Sequence, residues 1–140
     1  MIVLDASIGV KWFLHEADSV EADALFKANR GAITVPGLFW IEVASALVRT
    51  ANTGKERAPE MQSFLDDLAV LAFGNQIAEA ETSISHWIDA ATIGIAIGHP
   101  LKDCLYLALA MELGCPLVTA DARFVVKARE VWGEVQVLGA

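Results

Sequence analysis

The sequence predicts an α/β domain of three layers, a mostly parallel central sheet between two sets of helices. Three observations predict it. Short apolar runs such as Ile2-Val3-Leu4 and Leu117-Val118-Thr119 alternate with longer stretches whose apolar residues recur at helical spacing. Turn residues separate the two kinds, among them Pro36-Gly37, Asn52-Thr53-Gly54 and Gly114. The length of 140 residues fits one domain, spanning 1–140, that is large enough to build a core.

Ile2 to Leu4 reads as a buried strand ending in Asp5. Ser7 is placed to cap a helical turn that carries Val10, Trp12, Phe13 and Leu14. A helix over 20–28 turns Leu25 and Phe26 inward, and Ala32 to Val35 is a second strand, closed by Pro36-Gly37. Leu38, Ile41, Ala44, Leu47 and Val48 give the helical period over 38–50. A further helix runs over 59–68, with Met61, Phe64 and Leu65 on one side. Val70 to Phe73 reads either as a strand or as a helix end. A long Ala-rich helix is expected over 77–97, divided or ended by Gly94 and Gly98. Pro100 precedes a helix over 102–113, which Gly114 ends. Pro116 to Thr119 is a strand delivering Asp121, 124–131 is helical, and 135–138 is the last strand.

Lys and Arg number 10 against 18 Asp and Glu, a formal net charge of -8. That balance argues against non-specific binding to a phosphate backbone, which needs dense cations. It leaves open a nucleic acid handled through bound metal ions. An apolar fraction of 55% excludes a disordered acidic chain. The N-terminus meets a carboxylate at Asp5 without a basic region, unlike a signal peptide. The longest uncharged stretch, Ala90 to Leu101, falls short of the roughly 20 apolar residues of a bilayer span, so no membrane partner is expected. Cys104 and Cys115 have no CxxC spacing and read as reduced core thiols of a cytoplasmic protein.

The informative residues are four acids in apolar surroundings. Asp5 and Asp121 follow strands, where open α/β sheets place their ligands. Glu42 interrupts an apolar helix, and Asp103 opens the run Cys104 to Ala110. Each has an ordinary reading as well. An Asp after a strand caps the next helix, an Asp in a first turn is favoured by the helix dipole, and Glu42 can face water. Converging carboxylates need compensating positive charge to stay ionised. His15, His86 and His99 are isolated in the sequence, so the expected pocket is oxygen-only and suits Mg²⁺ or Mn²⁺ rather than zinc.

The segments carrying these acids resemble the PIN-domain family, and particularly the small VapC-type toxins of bacterial toxin–antitoxin pairs. The likeness rests on Val3 to Ser7 with Val10 to Leu14, on Val35 to Ala44, on Asp103 to Ala110, and on Leu117 to Phe124, in that order. The resemblance implies a PIN-like fold and a metal-dependent endoribonuclease acting on RNA, commonly tRNA or ribosomal RNA. It implies that Asp5, Glu42, Asp103 and Asp121 are the catalytic acids that hold Mg²⁺ or Mn²⁺. Ser7 and Thr119 match small hydroxyl residues beside the site. It further implies a homodimer, and an antitoxin that blocks the site and alone contacts operator DNA. On this basis Asp5, Asp103 and Asp121 hold one ion, while Glu42 completes its shell or orients the attacking water. In-line attack then leaves a 5′-phosphate and a 3′-hydroxyl. Lys11, Arg49, Lys102 and Arg123 are candidate contacts to the RNA backbone.

Two positions depart from the family pattern. Lys102 stands where members often carry Tyr, and Ala122-Arg123 stand where some carry a further acid, which weakens a second metal site. The competing readings are a PIN nuclease outside any toxin–antitoxin pair, a non-catalytic protein-binding module, and a phosphoacceptor domain. A dinucleotide-binding domain is disfavoured because no Gly-x-Gly-x-x-Gly turn follows the first strand.

Overall fold

The computed structural model describes residues 1–140. The strands are β1 (Ile2–Leu4), β2 (Ile33–Pro36), β3 (Ile77–Ala80), β4 (Leu117–Thr119) and β5 (Val135–Val137). The helices are α1 (Ala6–Val10), α2 (Ser19–Ala28), α3 (Leu38–Thr53), α4 (Ala58–Phe73), α5 (Ile84–Ile97), α6 (Leu101–Leu113) and α7 (Ala122–Ala128). A single 3₁₀ turn, Lys55–Arg57, joins α3 to α4.

The five strands lie in the order β3-β2-β1-β4-β5, and every neighbouring pair is parallel. The three-layer α/β architecture expected from the alternation of runs is the one found. β1 and β4 are buried at every residue, as strands covered on both faces must be. α3 packs against α1 and α4, while α5 packs on α6, which lies over β1, β2 and β4. Val3, Leu4, Ile33, Val35, Phe39, Leu107, Leu117 and Phe124 meet in one continuous core. No single helix is long and apolar enough to cross a membrane.

β1 is the centre of the sheet, and the topology turns there. From β1 the chain steps outward to β2 and β3, then returns to place β4 on the other side of β1. The crevice between the C-terminal ends of β1 and β4 is therefore the topological switch point.

One expectation is corrected, and one open alternative is settled. Ile77–Ala80 is edge strand β3 rather than the start of a long helix. It pairs with β2 alone, with Ile33 opposite Ile77 and Val35 opposite Glu79. The helix begins only after Ser83, whose Oγ accepts the His86 N–H at 3.2 Å. Val70 to Phe73 is the last turn of α4, with Phe73 94% exposed.

Close packing of α1 on α3 depends on Gly9. A Cβ there would lie 2.6 Å from Phe39 Cζ and 2.8 Å from Val43 Cγ2, both on fully buried side chains. Alanine gains about 1 kcal/mol of helix propensity, and overpacking a tight core costs about 1–3 kcal/mol. Gly9→Ala is expected to lower the urea midpoint with an unchanged m-value. An unchanged or raised midpoint would show that α1 and α3 can separate without loss.

Candidate metal centre

Asp5 sits immediately beyond β1 and is 5% exposed. A buried carboxylate must find donors, and its local sequence supplies them. Its Oδ1 accepts the Ser7 N–H at 2.9 Å, capping α1, and also accepts the Ser7 hydroxyl. Its Oδ2 accepts the hydroxyl of Thr119 at the end of β4. The Asp5 N–H donates to Val118 O at 3.2 Å, and the Ala120 N–H donates to Ser7 Oγ at 3.0 Å. The ends of β1 and β4 are thus stitched together through Asp5, Ser7 and Thr119. Burial pushes the Asp5 carboxyl up to about 6, against the lowering effect of the Ser7 and Thr119 donors, and the nearby charge of Asp103 pushes the same way as burial.

Asp121 follows β4 and caps α7. Its Oδ1 accepts the N–H groups of Arg123 at 3.0 Å and Phe124 at 3.2 Å, and its own N–H donates to Thr119 Oγ1 at 3.1 Å. This leaves Oδ2 turned away from the cap. Asp103 lies in the first turn of α6. The ligand atoms of Asp103, Asp121 and His99 all lie within 4.8 Å of one another. His99 Nε2 lies 2.6 Å from Asp103 Oδ2.

Glu42, on the second turn of α3, is half-buried. Its Oε1 accepts the hydroxyl of Tyr106 at 2.7 Å. Tyr106 is fully buried on α6, three residues after Asp103. Burial and the bond to Glu42 push its hydroxyl far up, and the charges of Asp5 and Asp103 act in the same sense. It therefore stays a protonated donor among three carboxylates. All four sequence-predicted acids come to one end of the sheet.

Of the predicted cations, Lys11 is held by Glu16 and by Asp18, the latter at 2.8 Å, and its side chain is only 10% exposed. Arg49, Lys102 and Arg123 are exposed. Two residues of the site carry little signal in the sequence pattern. His99 stands apart from the other histidines, and its partner is an acid four residues on. Tyr106, the one tyrosine in the chain, lies inside an apolar run. Cys104 and Cys115 are buried free thiols, and burial raises both.

A carboxyl raised from 3.8 to about 6 makes the folded state bind its proton more tightly than the unfolded chain does. Its stabilising contribution is full below 3.8 and is lost as pH rises through about 6, a change of roughly 3 kcal/mol. In EDTA, wild-type protein is expected to lose more unfolding free energy between pH 4.5 and 7.5 than Asp5→Asn, by urea titration of both. Equal losses would show that Asp5 does not carry this linkage.

Solved structures share this arrangement of strands and helices at low identity. A toxin–antitoxin complex from Klebsiella pneumoniae superposes with a TM-score of 0.66 at 16% identity, covering 97% of this chain and 96% of that one. The Mycobacterium tuberculosis toxin VapC20, described as cleaving the sarcin-ricin loop, gives 0.72 at 13% identity, covering 90% and 94%. VapBC2 from Rickettsia felis, bound to a DNA fragment from its promoter, gives 0.61 at 16% identity, covering 99% of each chain. No curated protein sequence matches the chain. The model of the PIN domain family matches residues 2–130, so the buried Asp5 and its neighbouring acids lie within a recognised domain, and the chain belongs to the PIN-domain family.

Proposed function

We propose that this protein is a divalent-metal-dependent endoribonuclease that hydrolyses RNA phosphodiester bonds, and that it is the toxin of a type II toxin–antitoxin pair. The observation that supports the reading is the cluster of Asp103 and Asp121 with His99 beside the end of β4, next to Asp5 at the end of β1, with Glu42 joined to α6 through Tyr106. The donor set fits a small cation. Asp103, Asp121 and His99 present ligand atoms within 4.8 Å of one another, and Asp5 carries a buried carboxyl that a nearby positive charge would relieve. Mg²⁺ or Mn²⁺, when bound, supplies charge neutralisation at a phosphate oxygen and a more acidic water.

The chain's own residues do the rest. Asp103 and Asp121 would hold the ion, and Asp5 would set the negative potential behind them. The Asp121 carboxylate is oriented by the two α7 amides, which leaves one oxygen for the site. Glu42 keeps one oxygen on Tyr106 and offers the other to orient the attacking water in line with the scissile bond. Ser7 and Thr119 fix Asp5 and remain within the protein's own hydrogen-bond network. Arg49, Lys102 and Arg123 form no ion pair and are the proposed contacts to the RNA backbone, whereas Lys11 is committed to Glu16 and Asp18. In a chain of net charge -8, a few rim cations of this kind confine RNA binding to the site.

The toxin role is supported by the likeness of fold to toxin–antitoxin structures. The cognate antitoxin covers the acidic crevice and reaches operator DNA through its own domain. A homodimer is supported by α5, whose outer face exposes Ile84, Trp87, Ile88 and Ile95 at helical spacing.

With Mg²⁺ or Mn²⁺ and a mixed tRNA and ribosomal RNA substrate, cleavage is expected to leave 5′-phosphate ends, to stop in EDTA, and to fall at least about 10²-fold in Asp103→Asn. Full activity in EDTA with cyclic phosphate ends would overturn the mechanism. Trp87→Glu is expected to convert a dimer to a monomer in sedimentation velocity without changing the far-UV spectrum. A wild type that sediments as a monomer at all concentrations would remove the dimer from the proposal.

A further inference from the structure

His99 is the one histidine whose imidazole meets the acids. His15 is exposed on a loop, and His86 is buried against Leu105 O through Nε2. No other three His, Cys, Asp or Glu side chains bring their ligand atoms as close together as His99, Asp103 and Asp121 do. Asp5 has both carboxylate oxygens on protein donors, and Glu42 has one.

His99 is held through both its ring and its backbone. Its ring stacks on Phe124 at 4.5 Å between centroids and 26° between planes. Its backbone N–H donates to Gly94 O at 3.0 Å, and Lys127 Nζ donates to the preceding carbonyl, Gly98 O, at 2.7 Å. Gly98 takes φ +65°, which turns the chain out of α5 and back toward α6. A Cβ on Gly94 would stand 2.8 Å from the His99 carbonyl, so α5 approaches this loop as closely as glycine allows. The His99 side chain is 11% exposed and faces the acids rather than solvent.

We propose that His99 supplies a nitrogen ligand, through Nε2, to the divalent ion of this centre, and that this ligand makes the site prefer Mn²⁺ to Mg²⁺. The proposal rests on the metal-centre reading above. Mg²⁺ takes hard oxygen ligands and gives up water reluctantly. An imidazole nitrogen is a softer donor that favours a transition-metal ion over it. Ligation uses the Nε2 lone pair, so the ligating imidazole would carry its proton on Nδ1. Stacking on Phe124 keeps the ring plane aimed at Asp103 and Asp121 as this happens.

The test uses the tag-free full chain loaded with Mn²⁺ alone in a nitrogen-free buffer. Pulsed electron paramagnetic resonance should show ¹⁴N coupling of a directly bound imidazole in the wild type and none in His99→Gln. Calorimetry should show Mn²⁺ affinity falling roughly tenfold in His99→Gln, with Mg²⁺ affinity changing less. Saturable Mn²⁺ binding without ¹⁴N coupling in the wild type would overturn the His99 assignment and leave an all-oxygen centre intact. Coupling that persists in His99→Gln would also overturn the His99 assignment, by showing that another nitrogen binds the ion. Absence of saturable binding of either ion would overturn the metal centre and this proposal together. The wild-type spectrum decides the ligand even if the variant folds poorly.

Discussion

Everything at the working end of this molecule depends on a carboxylate placed where water cannot reach it. Asp5 ends the central strand, and an ionised acid in that position is tolerable only with donors on both oxygens. Ser7 supplies one side from the next helix, and Thr119 supplies the other from the neighbouring strand. Those bonds do more than satisfy Asp5. They fix β4 beside β1, and the Thr119 hydroxyl also receives the Asp121 N–H, so the position of the second strand-end acid follows from the first. The burial that makes Asp5 strain toward protonation also makes it a deep source of negative potential. A cation held by the outer acids would answer that potential. The cost of that buried charge and the pull on such a cation would then have one origin.

Most of the fold was legible because its signals are local. β1 and β4 are short buried runs closely followed by acids, and α3 and α6 carry a clear helical period with Glu42 and Asp103 set beside apolar stretches. β3 was missed because it is an edge strand. With β2 on one side only, Ala78 and Glu79 face out, and the run Ile77 to Ala80 lacks the apolar density of a central strand. The end of α4 was ambiguous for the opposite reason, since Val70 and Phe73 are apolar yet exposed and so imitate a buried run.

The acids of the site were legible, whereas their partners were not. An acid in an apolar run is conspicuous wherever it lies. Tyr106 is not, because its hydroxyl finds Glu42 from 64 residues away, and only the tertiary fold, with α3 and α6 both packed on β2, brings them together. His99 reaches Asp103 four residues on, but from outside α6, before its N-cap Pro100, so the helical period of α6 does not include it. The pairing of Lys11 with Glu16 and Asp18 likewise depends on the turn after α1. What sequence pattern conveys is which residues are out of place, and what the fold adds is which of them answer one another.

Asp5 and Asp121 are helix caps as well as members of the site. Their retention is therefore under two separate pressures, one from chemistry and one from the start of α1 and of α7. In a related chain that had drifted out of catalysis, both acids would persist for the sake of the helices. Glu42, Asp103 and His99 cap no helix with their side chains. On the metal-centre reading, these three positions, rather than the two conspicuous strand-end acids, would separate descendants that still cleave from those that only keep the shape.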